Sequence, residues 1–342
     1  MYILVYLFTS VLFWIHECCF NQKAYLHSVA FYNVENLFDS QNNPDTFDDD
    51  YTPEGRLHWN DILLGQKINQ IAQVLSKVGR RETKRPPVII GLVEVENRNV
   101  LELLIKHPLL KPYQYQIIHY ESPDFRGIDV AFLYQKNHFT PSNHKAYKLD
   151  LVDAKNQAPR TTRDQLVVSG YLGNEELYFI INHWPSRRGG AKRSAPSRMK
   201  AARLHQKISD SLFRLQDEVR VVSMGDYNDN PTNKSIHYLT KQHQYHKLRF
   251  YNQMTPLFKK GIGSLAYNDQ WFLFDQILTS PDWKKDSNLS IVGVNVYSPS
   301  FLRNPEGKYK GYPYRVQIKG DQLKGYSDHF PVYLLLAEKI NE

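Results

Sequence analysis

Hydrophobic positions along this chain follow two rhythms. Between residues 61 and 78, Ile62, Leu63, Ile68, Ile71, Leu75 and Val78 recur near helical spacing with polar residues between them, which predicts an amphipathic helix. Elsewhere the apolar residues form short runs, and the runs stop at polar clusters. Residues 27–34 predict a strand ending at Asn33, with a loop over 35–39. Residues 87–93 predict a buried strand that delivers Glu94 at its end, ahead of a short helix over 100–107. Residues 113–119 and 129–134 predict a hairpin across the polar turn 122–127, and 166–172 with 177–181 a second one across Gly173-Asn174. A helix with a basic face is expected over 197–215. A strand over 219–224 meets Gly225 and cannot continue past Pro231. A further strand is expected over 272–280, with Asp275 inside it, and a last one over 332–337. Strands alternate with helices early and hairpins dominate later. That mixture predicts helices packed outside a sheet-rich core, in one domain over residues 24–342.

Residues 2–15 are uncharged and apolar apart from Thr9 and Ser10. The run is short for a transmembrane helix and resembles the apolar core of a signal peptide, so residues 1–23 are expected to be a signal-like or anchor segment. No basic stretch precedes it, and His16-Glu17-Cys18-Cys19 is not a small-residue cleavage site. Export to the periplasm, the envelope or the medium is the expectation, with the cytoplasm as the alternative. Cys18 and Cys19 are the only cysteines, so the body holds neither a disulfide nor a thiolate metal site. The formal net charge of +8 suits anionic partners: nucleic acid, phosphoesters or acidic membrane surfaces. The acidic stretch 45–50 reads as a solvated loop, or else as the rim of a site or an extra cation site.

Candidate chemistry sits where the apolar runs stop. Asn33, Glu94, His183, Asp226 with Asn228, and Asp328 with His329 all follow or end strand-like runs. Polar side chains at strand ends can converge on one edge of a sheet. Each also has a plain explanation: a turn-forming asparagine, a surface carboxylate, a packed loop histidine, a local capping pair. Asp275, inside an apolar strand, needs a partner, because an unpaired buried charge is costly.

Taken together, Phe31-Tyr32-Asn33-Val34-Glu35-Asn36-Leu37-Phe38, Gly91-Leu92-Val93-Glu94-Val95-Glu96-Asn97, Asn182-His183-Trp184-Pro185-Ser186, Met224-Gly225-Asp226-Tyr227-Asn228, Phe274-Asp275-Gln276-Ile277-Leu278-Thr279-Ser280 and Ser327-Asp328-His329-Phe330-Pro331-Val332 resemble the endonuclease/exonuclease/phosphatase superfamily of DNase I-like, metal-dependent phosphoesterases. The opening Tyr-Asn-Val-Glu-Asn-Leu-Phe-Asp with its acidic insertion is similar to a bacterial branch of poorly defined substrate. The resemblance implies a four-layer α/β sandwich with two central mixed β-sheets flanked by helices. It implies that Glu94 is the principal metal carboxylate, with Asn33 beside the metal and Asp328 near it. It implies that Asp226 orients or deprotonates the attacking water, that Asn228 meets the phosphate, and that His329, oriented by Asp275, contacts the scissile phosphate. His183 matches a histidine that assists the leaving oxygen in some branches. Arg126 falls where some relatives place a phosphate-binding arginine.

The chemistry is coherent on its own terms. A phosphodiester is anionic and repels hydroxide. Mg²⁺, or Mn²⁺ in its place, prefers oxygen ligands and uses one or two carboxylates plus phosphate. Protonated His183 and His329 would donate hydrogen bonds to oxygens that gain charge. Arg126 and Arg187, the latter in the basic loop 187–193, are expected substrate contacts. The first expectation is a nuclease hydrolysing nucleic acid by in-line attack of water. The alternative is a phosphodiesterase or phosphatase acting on a lipid headgroup or a small phosphoester, and after it a non-catalytic phosphate-binding module. No obligate protein partner is evident, and a monomer is expected.

Overall fold

The computed structural model describes residues 24–152, 158–214, 219–241, 250–281, 283 and 288–340. The apolar segment 1–23 lies outside the described residues. Among the described residues, no helix is long and apolar enough to cross a membrane.

Two six-stranded sheets form the centre. Their strands, in chain order, are β1 (Ala24–Leu37), β2 (Ile89–Val95), β3 (Tyr115–His119), β4 (Asp129–Gln135), β5 (Phe139–Tyr147), β6 (Gln165–Leu172), β7 (Glu175–His183), β8 (Val221–Asp226), β9 (Tyr251–Asn252), β10 (Asp275–Thr279), β11 (Leu289–Val296) and β12 (Val332–Lys339). The first sheet has the order β11-β12-β1-β2-β4-β3, and the second β9-β10-β8-β7-β6-β5. Both are mixed: β1 runs parallel to β2 and antiparallel to β12, and β8 runs parallel to β7 and antiparallel to β10. Strands covered on both faces read as unbroken apolar runs, which is why β2 (Ile-Ile-Gly-Leu-Val) and β8 (Val-Val-Ser-Met) show no alternation.

The sheets face each other across one core. Phe132 of β4 lies 5.3 Å from Phe179 of β7, and Phe139 lies 5.7 Å from Phe132 and 5.6 Å from Phe179. Gly91 in β2 marks a close approach: a Cβ there would meet Met224 Cε at 3.1 Å and Ile181 Cδ1 at 3.2 Å, both from the opposing sheet. Helices close the two outer faces. Helix α1 (Asp61–Leu75) adds Leu63, Ile68, Ile71 and Leu75 to the core that contains β1 and β2. Asn60 starts this helix by accepting from the backbone of Ile62 and Leu63, both at 3.1 Å. Helix α2 (Arg98–Lys106) follows β2. On the other side, Ala201, Ala202, Ile208 and Leu212 of α3 (Ala191–Leu212) cover Tyr178, Ile180 and Val221. This is the expected four-layer sandwich.

Several boundaries differ from expectation. β1 continues through Asn33 to Leu37, because Leu37 is buried and pairs with Val95 after a shift in register. Asp275 begins β10 rather than lying within it, and the residues before it form a separate ribbon, Leu265–Tyr267 with Gln270–Phe272. Helix α3 starts before residue 197, with Pro196 inside it; Ser194 bonds back to the Gly190 carbonyl and fixes the first turn. β5 was not foreseen: it is an edge strand whose exposed Thr-Pro-Ser-Asn-His-Lys gives no apolar rhythm. The acidic stretch contains a 3₁₀ turn (Asp49–Tyr51) held to the body, with Tyr51 stacked on Phe38 at 4.2 Å and Asp48 buried.

Candidate active site

Residues from the two sheets meet at one edge of the sandwich. In the second sheet, strand register does the placing. His183 ends β7 and Asp226 ends β8, and the two are direct neighbours in parallel pairing. Asp275 opens β10 and is the antiparallel partner of Asp226. His183, Asp226 and Asp275 therefore stand in one row across adjacent strands.

In the first sheet, a distortion does the placing. Glu94 sits between Val93 and Val95, where the pairing of β2 shifts against both β1 and β4. Its φ is 63°, a left-handed conformation that costs a glutamate energy and that surrounding pairing must impose. A bulge of this kind turns one side chain out of the alternating pattern. Here the Glu94 carboxylate comes within 3.7 Å of His183 Nε2, which is also 3.7 Å from Asp226 Oδ2. Asn33, buried near the end of β1, donates through Nδ2 to Asp226 Oδ2 at 3.3 Å, while its Oδ1 accepts from the Glu35 backbone at 3.0 Å. The His183 imidazole thus bridges the carboxylates of opposing sheets, and the Asn33 amide ties β1 to Asp226.

His329 approaches from the loop before β12. Its backbone donates to Ser327 Oγ, which in turn donates to the Asn33 carbonyl, tying this loop to β1. Its Nδ1 lies 2.6 Å from Asp275 Oδ2, and Asp275 is fully buried. Burial opposes a charged imidazole, but Asp275, then Asp328 and Asp226, outweigh it and hold the His329 pKa well above its ordinary value. His183 has the opposite environment. Burial, helped by the positive charges of Arg163, Arg126 and His329, pushes its pKa well below the usual range, so the imidazole is neutral. Of the two histidines, His329 is the one whose surroundings favour the protonated form. His183 Nδ1 is buried without a hydrogen-bond partner among the described residues. Asp226 is pushed up to about 7, chiefly by burial, with Asp275 and Glu94 adding to the rise and His329 and the Asn228 backbone opposing it.

The other expected residues lie around this group. Asn228 adopts φ 51°; its backbone donates to Asp226 Oδ1 at 2.8 Å and its Nδ2 to the Trp184 carbonyl at 3.1 Å. Asp328 is more open, with Oδ1 3.8 Å from His329 Nε2 and Oδ2 accepting from Arg315 at 3.1 Å. Arg126 is one-third exposed and lies 3.6 Å from Asp124. Arg187 is turned inward: its guanidinium donates to the Asn228 carbonyl, to Asp229 and to Asn233, and stacks over Phe274 at 4.4 Å. It braces the loop that carries Asn228.

Sequence reasoning missed Asp229, which pairs with both Arg187 (3.0 Å) and the buried Arg198 (2.8 Å), and Arg163, whose NH2 donates to the Trp184 carbonyl. The run Asp226-Tyr-Asn-Asp229 held the signal for Asp229; Arg163 carried none, because its partners are distant in sequence.

Oxygen donors suited to a hard divalent cation are present. The Glu94 carboxylate has no hydrogen-bond donor closer than the 3.7 Å histidine among the described residues, an arrangement that leaves it open to a cation. His183 links it to Asp226, which Asn33 in turn contacts, and Asp328 lies against His329. A second group, His119, Glu121 and Asp129, brings ligand atoms within 4.8 Å of one another where β3 ends and β4 begins.

Comparison with known proteins identifies the family and the fold. The model of the Endonuclease/Exonuclease/phosphatase family matches residues 28–338. The fold is similar to an endonuclease/exonuclease/phosphatase family protein from Bacteroides thetaiotaomicron, at TM-score 0.57 and 16% identity, covering 93% of this chain and 100% of that one. It is similar to a mannosyl-6-phosphatase of the same organism, at TM-score 0.55 and 17% identity over 91% and 99% of the chains. It is also similar to TDP2 from D. rerio complexed with a single-strand DNA product, at TM-score 0.56 and 14% identity over 91% and 98%. No curated sequence matches.

Proposed function

The chain belongs to the endonuclease/exonuclease/phosphatase family, and we propose that it is a divalent-metal-dependent phosphodiesterase that cleaves nucleic acid by direct attack of water. The observation that carries this reading is the convergence at one edge of His329, held by Asp275, with His183 and the carboxylates of Asp226 and Glu94. Mg²⁺ or Mn²⁺ held by Glu94, with Asn33 and Asp328 near it, would offset negative charge on the phosphoryl group. Asp226, fixed by Asn33 and by the Asn228 backbone, accepts a proton from water. His329 donates a hydrogen bond to a phosphoryl oxygen as charge grows there. Neutral His183, with its unpaired Nδ1, offers one further donor and acceptor for the leaving oxygen. Water attacks directly, so no covalent intermediate is needed.

Nucleic acid is favoured among phosphoesters by the formal charge of +8 and by the arginines around the site. The same fold serves a mannosyl-6-phosphatase and a DNA-bound TDP2, so the fold does not choose the substrate. The test is hydrolysis of plasmid DNA, single-stranded RNA, sphingomyelin, inositol polyphosphates and bis-p-nitrophenyl phosphate by the full chain, with Mg²⁺, Mn²⁺ or EDTA, beside Asp226→Ala and His329→Ala. Metal-dependent cleavage of DNA or RNA that both variants abolish is the expected result. Preference for another phosphoester would replace the nuclease reading, and no cleavage by folded protein would end it.

A further inference from the structure

A cavity of about 660 Å³ opens beside the site, lined by cations. Arg126, Arg160, Arg163, Arg188, Arg193 and Lys200 all face it, and among the described residues Asp124 is the one acidic residue on its wall. Asp124 is itself taken: it binds Arg163 NH1 at 3.0 Å and the Arg126 backbone at 3.0 Å. Arg163 is buried at 5% exposure, and its Nε has no hydrogen-bond partner among the described residues. A buried guanidinium donor left unpaired is costly unless something fills the cavity. Gly189, just before α3, and Ser194 and Ser197 in its first turns line the same wall. The cavity connects to the reacting residues through the Trp184 carbonyl, which accepts from Arg163 on one side and from Asn228 on the other.

We infer that this cavity is a second phosphate subsite, which takes a phosphate of the substrate strand neighbouring the one being cleaved. The inference rests on the phosphodiesterase reading and adds to it: the preferred substrate carries at least two phosphates. Arg163 supplies the fixed donor at the base, and Arg160, Arg193 and Lys200 close over the anion from the rim. Arginine and lysine in this role recognise phosphate without reading a base, so the subsite favours polyanions over sequence.

The deciding experiment is calorimetric titration of inorganic pyrophosphate into the full chain in EDTA, repeated with Arg160→Ala/Arg193→Ala/Lys200→Ala. The three side chains are exposed, so the variant should fold. Pyrophosphate should bind the parent chain, and the variant should lose about tenfold or more in affinity. A control lacking Lys308, Lys310 and Lys319, which do not line the cavity, should stay within about threefold. The Arg163 Nε–H resonance should shift with the same saturation. A hexathymidylate should displace pyrophosphate. An unchanged affinity in the variant, a still Arg163 signal, or failure of hexathymidylate to compete would each overturn the proposal. Hydrolysis of bis-p-nitrophenyl phosphate, which has a single phosphate, should survive in the variant. If the parent chain does not hydrolyse that ester or DNA, the phosphodiesterase reading fails, while the titration still decides the subsite.

Discussion

His329 Nδ1 lies 2.6 Å from Asp275 Oδ2 across 54 positions of sequence, and both residues are buried. A buried ion pair is stable only while both partners remain, because removing one leaves an uncompensated charge. The pair is thus both a fastening between the β12 loop and the second sheet and the reason His329 stays charged. Asp275→Asn and His329→Gln should each lower kcat on bis-p-nitrophenyl phosphate by about 100-fold or more. The double variant should lose little beyond the worse single one, since the two act as a unit. Multiplicative losses would show that they act separately.

Arg187 was expected at the substrate, yet its donors go to Asn228, Asp229 and Asn233. Arg187→Ala should destabilise the fold by about 1–3 kcal/mol, from lost charged hydrogen bonds. Arg187→Lys should rescue little, because an ammonium cannot reproduce the fork and the stacking over Phe274. The salt dependence of DNA binding should be unaltered in both. A reduced salt slope would return Arg187 to the substrate.

Stability should fall in acid through His205. It is fully buried, bonded to Ser223 Oγ at 2.6 Å and packed edge-on against Trp184 and Phe250, with Ser209 Oγ 3.4 Å from its Nδ1. Burial lowers its pKa from 6.5 to about 3. The unfolded chain therefore binds the proton first, so this contribution is fully present above about pH 6.5 and is lost as pH falls towards 3. Between pH 7 and 5 the loss from this one group should be about 2 kcal/mol. Urea unfolding at both pH values, with His205→Asn as reference, checks it. An equal acid loss in both proteins would assign the effect elsewhere.

Gly91 lets the sheets approach three residues before Glu94. Gly91→Val should cost about 1–3 kcal/mol by overpacking against Met224, Ile181 and Phe31. It should also reduce hydrolysis, since β2 carries the Glu94 bulge. A variant with a lower melting temperature but full kcat would mean that the bulge holds its place independently of the sheet spacing.

The sequence by itself determined most of the apolar core, where most strands run and which polar side chains stand at their ends. Apolar runs, helical spacing and Gly/Pro punctuation are local signals, so Asp226 and His183 were legible as ends of elements, whereas β1 runs on past Asn33 to Leu37. The tertiary structure decided what those residues face. Asp226 gains His183 and Asp275 as neighbours only through pairing with two other strands. Glu94 is aimed by a register shift that its own segment does not encode. The different protonation of His183 and His329 follows from burial and from charges brought in by distant segments, among them Arg163 and Asp275. Arg187 looked like a free cation in a basic loop, and Arg163 looked like nothing at all. Their roles depend on partners such as Asp229 and Trp184, which local pattern cannot supply because the contacts form only when the chain closes on itself.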